Sequence, residues 1–539
     1  MPQPPRFFLN HDGSHLMWTT PPVSIDQFVH EILGVTVGTQ VDGIVHHMFT
    51  CGDCVPLFHC DIADAEPVVP ASLASCHVWR CMHNRAALLE MPGDPWQMVI
   101  AAAHAQGKPF WGSMRFNDGH PPEYGPRSRF GAENPDCFIG DDCAAEIHAP
   151  GPDGVVPACR HLNFALPVVR EHRKALVADL CSRYDVDGFE WDFTRDNCHN
   201  FTKADAGNGA AILNDYMREI RELLDDIGGQ RGRPLGFAAR VPGTLGACQG
   251  TGLDVETWIR EGLVNMLTPT VYYDTTCELP YRTFVELARG TETRIYGNVS
   301  EGVGPGRFRP PPREAVRAGV ANAWRDGVDG VNIFNFHHHI IENRVDDMCL
   351  YSECGDPATV ARKNKLYMIA GVAVSSQSRF FGVDYETWHP RQVPVDVPKG
   401  DGPGVIVRVP ISDDIEAARR DRVLASIVLR LDLLNMTGHE KLRLLVNRKE
   451  VLVSSAKWSV SRQYPFNWNG MHGDMEAAFD LTGGDWIREG DNEVNLVLLE
   501  RPDDIAPPFT LYTVRLEINY NTLPMGLGQS RPDRVQGER

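Results

Sequence analysis

Hydrophobic and polar positions follow two rhythms along the chain. In the first two thirds, short apolar runs of strand length stand between longer stretches whose apolar residues recur at helical spacing. The runs are RFFLNHDG (6–13), VDGIVHHMF (41–49), PFWGSMRFND (109–118), VDGFEWDF (186–193), PLGFAARV (234–241), VNMLTPTVYYD (264–274), RIYGNVSEG (294–302) and VDGVNIFNF (328–336). About eight strands alternating with helices predict an α/β protein of the (β/α)8, or TIM-barrel, type. The peptide VDG opens three of these runs, and two copies follow the helix-like stretches VREHRKALVADLCSRYD and PREAVRAGVANAWRDG. Helix, Asp-Gly turn and strand make half of a βα unit, and the glycine is expected in the left-handed conformation at the helix C-terminus. A doubly wound sheet would need a glycine-rich phosphate loop after its first strand, and NHDGSHLMW is not one.

Beyond residue 385 the rhythm changes to alternating runs without intervening helices, as in GVIVRVPIS, ASIVLRLDLLNMTG, KLRLLVNRKEVL, NEVNLVLLER and FTLYTVRLEINYN. This pattern predicts an all-β sandwich. The expected organisation is a barrel over 1–385, a C-terminal sandwich over 386–525 and a frayed tail over 526–539.

The strand GFEWDF carries Glu190 and Asp192 on one face, with Phe189, Trp191 and Phe193 on the other. In such a barrel function sits at the C-terminal ends of the strands, while Asp187 belongs to the opposite rim and is expected to be structural. The other strand ends supply Asn10, Asp12, His46, His47, Arg115, Asn117, Asp118, His120, Arg195, Arg240, Tyr272, Tyr273, Asp274, Asn298, Glu301, Asn335 and His337. Converging at one mouth, they would line a wet, hydrogen-bonding cleft. Two carboxylates there suit glycosidic bond cleavage, one ionised and the other kept protonated to donate to the leaving oxygen. Trp18, Trp111, Trp191, Tyr272 and Tyr273 are candidates for stacking on sugar faces, although each ring alone suits a core. The competing account is an ion-pair network in which Arg115, Arg195 or Arg240 neutralises loop-holding acids.

The block NFALPVVREHRKALVADLCSRYDVDGFEWDFTRD, with PFWGSMRFND upstream, resembles bacterial glycosyl-hydrolase-like barrels of a family-10-like kind. That resemblance implies the barrel fold and, less directly, activity on glycans. GFEWDFTRD is also similar to the fourth-strand motif of α-galactosidase-type retaining hydrolases, which implies Asp192 as nucleophile and Asp274 as acid/base. The chain departs from that motif at Glu190, where a lysine is usual. A further clan of sugar-cleaving barrels has its nucleophile after strand seven, where NVSEG supplies Glu301, but its Asn-Glu pair after strand four has no match. The expected catalytic set is therefore Asp192 with Asp274 or Glu301, and Glu190 next.

A net charge of -19 argues against nucleic acid or anionic membrane as the partner and suits a neutral or cationic small ligand, or a neutral polymer; the expected partner is a carbohydrate substrate. No apolar run reaches membrane-spanning length, and scattered cysteines favour a reducing, cytoplasmic setting unless a leader has been removed. CGDC at 51–54, followed by Cys60, Cys76 and Cys81, is a weak zinc pattern because no second matched pair follows. HDGSH and HHHII also invite a metal, but strands five and six end in Arg240 and Asp274 rather than in metallohydrolase ligands. The expectation is a site without metal or cofactor. Rival functions are a non-catalytic glycan-binding barrel and a lyase or isomerase acting on acidic sugars; a homodimer is only the default for a soluble enzyme.

Overall fold

The computed structural model describes residues 4–70, 72–73, 75–120, 125–140, 159–194, 200–271, 275–300, 311–336, 345–370, 392–460 and 474–521. Eight parallel strands close into a barrel: β1 (Phe7–His11), β2 (Gly43–His47), β3 (Phe110–Arg115), β4 (Gly188–Asp192), β5 (Gly236–Pro242), β6 (Met266–Thr270), β7 (Arg294–Ser300) and β8 (Gly330–Phe334). Each of the eight expected runs supplies one of them, and β1 pairs with both β2 and β8 to complete the ring. Outward residues such as Leu9, Ile44, Phe110, Phe189, Trp191 and Ile333 join the main core beneath the helices. Helices Pro167–Arg183 and Arg313–Asp326 precede β4 and β8, where the sequence places them. Among the described residues no helix is long and apolar enough to cross a membrane.

A repeated device builds the N-terminal rim. Asp42, just before β2, accepts hydrogen bonds from the backbone N–H of Phe7 at 2.7 Å and of Arg6 at 3.0 Å. Asp187, before β4, accepts from Phe110 N at 2.8 Å, and Asp329, before β8, from Ile295 N at 2.9 Å. Asn265, before β6, does the same for Phe237 N at 2.9 Å. The residue ahead of each even strand thus caps the first amides of the odd strand before it. Asp187 is also bonded to His104 Nε2 at 2.8 Å and to Arg233 at 2.9 Å, as suits its expected structural role.

The glycine of VDG serves a different purpose from the one expected. Gly43, Gly188 and Gly330 are the first residues of their strands and are not among the positive-φ glycines; the helix ends before β5 and β8 use Gly232 and Gly327 in that role instead. A Cβ on Gly43 would stand 2.5 Å from the Phe8 ring, on Gly188 2.6 Å from Trp111, and on Gly330 2.3 Å from Tyr296. These three rings, with Val45, Ala238 and Met266, plug the lower barrel. Glycine is required because an aromatic ring from the neighbouring odd strand lies over it.

The C-terminal part is two packed antiparallel sheets. Its strands are β9 (Lys365–Ala370), β10 (Val395–Asp396), β11 (Val405–Ile411), β12 (Leu424–Leu434), β13 (Lys441–Val446), β14 (Lys449–Val451), β15 (Lys457–Val460), β16 (Met475–Asp480), β17 (Gly490–Glu500) and β18 (Thr510–Tyr520). One sheet runs β9-β18-β12-β16-β15, with β10 added on β18, and the other runs β11-β17-β13-β14. Strand β9 pairs along its length with β18, so this sheet draws its first strand from ahead of residue 385.

The two parts meet along helix Arg313–Asp326, where Asn322 donates to Pro410 O at 2.9 Å and Arg325 to Ile411 O at 2.9 Å. Beside this junction Lys365 is buried against Asp413 at 2.9 Å. Its ammonium also donates to Ala361 O and Lys363 O, and the Tyr367 and Tyr520 hydroxyls donate to Asp413.

Two stability predictions follow from this packing. Gly188→Val should cost about 1–3 kcal/mol in urea unfolding, because the new side chain overpacks the plug. Gly246→Ala, with open space around it and an ordinary helical backbone, should cost nothing. Asp413→Ala should cost about 3–5 kcal/mol, because it leaves the Lys365 ammonium buried without its counter-charge, whereas Lys365→Met with Asp413→Leu together should cost less than that single change.

Candidate active site

Alternate residues of each barrel strand point inward and stack in tiers. Above the aromatic plug the interior turns polar: Asn10, His47, Ser113, Glu190, Thr268, Asn298 and Asn332 each stand two residues on from an inward ring, glycine or apolar side chain of the plug. Toward the C-terminal mouth follow Arg115, Asp192, Arg240, Thr270 and Ser300. Polar side chains filling half of a barrel interior are costly unless they serve a ligand or one another.

The two acids of β4 meet different partners. Asp192 is paired with Arg240, whose Nη1 lies 3.2 Å from both carboxylate oxygens, and its Oδ1 accepts from Thr194 N at 2.9 Å and Thr194 Oγ1 at 2.6 Å. Arg240 is itself buried over the Phe334 ring, 3.7 Å from its centre, and also donates to Thr194 Oγ1 at 2.6 Å. Glu190 is fully buried and meets only neutral groups: Asn10 Nδ2 at 3.0 and 3.2 Å and Ser113 Oγ at 3.0 Å. Among the described residues it has no ion-pair partner. Burial first, and the Asp192 charge second, push its carboxyl up to about 7. One strand therefore presents a cation-paired carboxylate two residues above an acid that holds its proton near neutral pH.

An ion-pair network does account for a second group at the mouth. Arg115 bonds Asp118 at 2.7 Å and Asp12 at 3.5 Å, Asn335 Nδ2 donates to Asp12 at 2.8 Å, and Asp118 accepts from His120 N at 3.1 Å. Asn335 takes the left-handed backbone conformation at the end of β8, which asparagine tolerates. Asn117 holds the end of the short strand Cys159–Leu162, donating to Leu162 O at 2.8 Å and accepting from Leu162 N at 2.9 Å. Asn298 reaches Thr270 Oγ1 at 2.6 Å.

Some expectations need correcting. His46 does not face the mouth: Val45 points into the plug, so His46 points outward, stacked on His11 at 4.5 Å and edge-on to Trp96 at 5.0 Å. His47, one residue on, faces the interior. Trp111 belongs to the plug and Trp191 to the core under the helices, so neither can stack on a ligand at the mouth; Trp18 is exposed beside His77. The cysteines around CGDC are not gathered as metal ligands among the described residues, where the one such group is His11, His15 and His46. Burial holds both His15 and His46 neutral, pushing His46 down to about 3. Arg195, Tyr272, Tyr273, Asp274, Glu301 and His337 lie outside the described residues.

Ser113, Thr194, Thr268, Thr270, Ser300 and Asn332 join the site without standing out in the sequence. Their signal is small polar residues at period two inside otherwise apolar runs. Several have atoms without a hydrogen-bond partner among the described residues: Thr268 Oγ1, Ser300 Oγ, both ends of the Asn332 amide, and with them Asn298 Oδ1 and Arg240 Nε and Nη2. Donors and acceptors are thus spread over the β5–β8 wall, facing the acids of β4.

No family model matches the chain, and no curated protein matches it in sequence. Among solved structures it is similar to the PgaB (BpsB) glycoside hydrolase domain from Bordetella bronchiseptica, at 10% identity and TM-score 0.39, over 65% of this chain and 98% of that one. The α-L-fucosidase isoenzyme 2 from Paenibacillus thiaminolyticus matches at 16% identity and TM-score 0.39, over 66% of this chain and 47% of that one. The GH36 α-galactosidase AgaA from Geobacillus stearothermophilus matches at 10% identity and TM-score 0.33, over 96% and 56%. The chain spans about half the length of the fucosidase and the α-galactosidase.

Proposed function

We propose that the protein is a glycoside hydrolase whose reaction is run by carboxylates at the barrel mouth. The observation that carries this reading is the contrast on β4: Asp192 is paired with Arg240, while Glu190, with no ion-pair partner among the described residues, keeps its proton to about 7. Two acids driven to different protonation states are what glycosidic cleavage needs, one as nucleophile or water-activating base and one as donor to the leaving oxygen. The facing wall supports a polyhydroxylated substrate, since its hydroxyls, amides and guanidinium N–H groups that lack a partner among the described residues offer both donors and acceptors. Asp192 acts as the ionised carboxylate and Glu190 as the acid. Asp274 and Glu301 remain the alternative proton donors.

A second reading is favoured by Arg240 alone, whose Nε and Nη2 would suit a sugar carboxylate. Lyase or isomerase chemistry on uronic substrates would then replace hydrolysis, with turnover confined to acidic glycans.

The test is release of reducing sugar from a panel of neutral and acidic glycans by wild type, Asp192→Asn, Glu190→Gln, Asp274→Asn and Glu301→Gln. Asp192→Asn should lose at least about 10²-fold in kcat/KM while remaining folded. Retention of full activity by that variant would move the centre off β4, and absence of turnover with ligand binding intact in both proteins would leave a glycan-binding barrel.

The pH profile checks the role of Glu190 separately. Wild-type kcat/KM should fall as pH rises through about 7, where Glu190 loses its proton, and Glu190→Gln should lack that limb. Stability should follow the same direction. The folded-state value lies above the ordinary one, so the stability linked to the protonated acid is complete at low pH and is lost as pH rises through about 7, relative to Glu190→Gln.

A further inference from the structure

On the outer side of the barrel wall, away from the acids, three histidines from β1, β2 and the short helix His15–Trp18 converge. His11, His15 and His46 are all buried, and their candidate ligand nitrogens lie within 4.8 Å of one another. Among the described residues both ring nitrogens of His15 lack a hydrogen-bond partner, and neither of His46 makes a hydrogen bond of good geometry. Four polar atoms of this kind in a fold's interior call for an explanation, because a buried ring nitrogen with no partner forfeits its hydration. The rings packed against the cluster are Phe28, Trp96 and Phe110, and the Trp96 indole N–H is taken by Leu57 O at 2.9 Å.

We infer that His11, His15 and His46 form a structural site for a zinc-class divalent transition-metal ion. The spacing suits it. With metal–nitrogen bonds of about 2.0–2.1 Å, imidazoles on a tetrahedral ion have ring centres roughly 5 Å apart. The observed centres are 4.7 Å apart for His11 and His15, 4.5 Å for His11 and His46, and 5.4 Å for His15 and His46. Three neutral nitrogen ligands with no thiolate or carboxylate among them favour zinc, copper, nickel or cobalt over magnesium or calcium. The Asp12 carboxylate, next to His11 in the chain, acts electrostatically on both His15 and His46, so it offsets part of the ion's charge from outside the ligand set.

Two adjustments accompany loading. The His11 and His46 rings are stacked at 14°, so one must tilt to bring both lone pairs onto a common point. His11 Nδ1 accepts the Gly13 N–H at 3.0 Å, which places the ring's proton on Nε2. Ligation through Nε2 moves that proton to Nδ1 and releases the Gly13 amide. Because the cluster is enclosed, the ion enters as the chain folds, and its binding energy becomes folding energy. The ion would tie the first two barrel strands to the first loop of the mouth without touching substrate.

The experiment uses the full chain produced in zinc-supplemented medium and dialysed against metal-free buffer. Elemental analysis should find about one zinc per chain, and stripping it with a chelator should lower the thermal midpoint, with zinc restoring it. His15→Leu and His46→Leu should each retain less than about a tenth of an ion while keeping the wild-type circular dichroism. Folded variants that still hold one ion would place the metal elsewhere and overturn the inference. A second measurement needs no variant: the stripped wild type is loaded with cobalt(II) and read by visible absorption and proton NMR. Ligand-field bands and three paramagnetically shifted, exchangeable imidazole N–H signals are expected. Absence of the bands, or fewer than three such signals, sinks it.

Discussion

Closing eight parallel strands on themselves removes every sheet edge but leaves an interior that alternate side chains must fill. Everything else about this molecule depends on how that interior is divided. At the N-terminal end Phe8, Trp111 and Tyr296 reach across from odd strands, and Gly43, Gly188 and Gly330 on even strands make room for them. Asp42, Asp187, Asn265 and Asp329 cap the odd strands from the same rim. The lower barrel is thereby solid and dry. Large rings on one set of strands and no side chain on the other is a three-fold compromise that a single sequence motif, Asp-Gly before a strand, encodes.

With the bottom sealed, the polar tiers above it can be held in low dielectric without losing shape. That environment explains the behaviour of Glu190: the same carboxyl at a wet surface would be ionised at neutral pH, whereas here burial and the Asp192 charge oppose ionisation. Arg240 pairs directly with only one of the two acids; its charge also favours ionisation of Glu190, but burial outweighs it. Its guanidinium reaches Asp192 and Thr194 while its flat face rests on Phe334, so the pair is oriented as well as neutralised. Rigid strands, rather than loops, carry these groups, which is the arrangement that holds reacting atoms in register. The C-terminal sheets add a second core fastened to the outer helix by backbone-directed bonds, and the Lys365–Asp413 pair ties two of their own strands together beside that junction, away from the acids.

How far the site can be read from the chain differs from residue to residue. Glu190 and Asp192 announce themselves, because large aromatic residues on the alternate positions leave one way for the strand to face. GIVHH gives no such guidance: a parallel strand buried on both sides loses its polar alternation, so nothing in the run says whether His46 or His47 faces inward. Ser113, Thr268 and Ser300 are hidden for a related reason, since small hydroxyl residues fit a strand of either kind. The glycines of VDG were legible as necessary but not for the right reason, because the ring that excludes a side chain comes from a neighbouring strand.

The sequence by itself determined the order and number of the barrel strands, the β character of the C-terminal part and the shared face of the two acids, since all of these rest on local periodicity and on spacings within one run. Tertiary structure alone decided which acid meets a cation and which meets an amide and a hydroxyl. Asn10 lies 180 residues from Glu190, Arg240 lies 48 from Asp192, and Asn335 lies 323 from Asp12. Such partners are brought together only by closure of the barrel. Protonation, which follows from those partners and from burial, is a property of the closed interior that no stretch of the chain carries within itself.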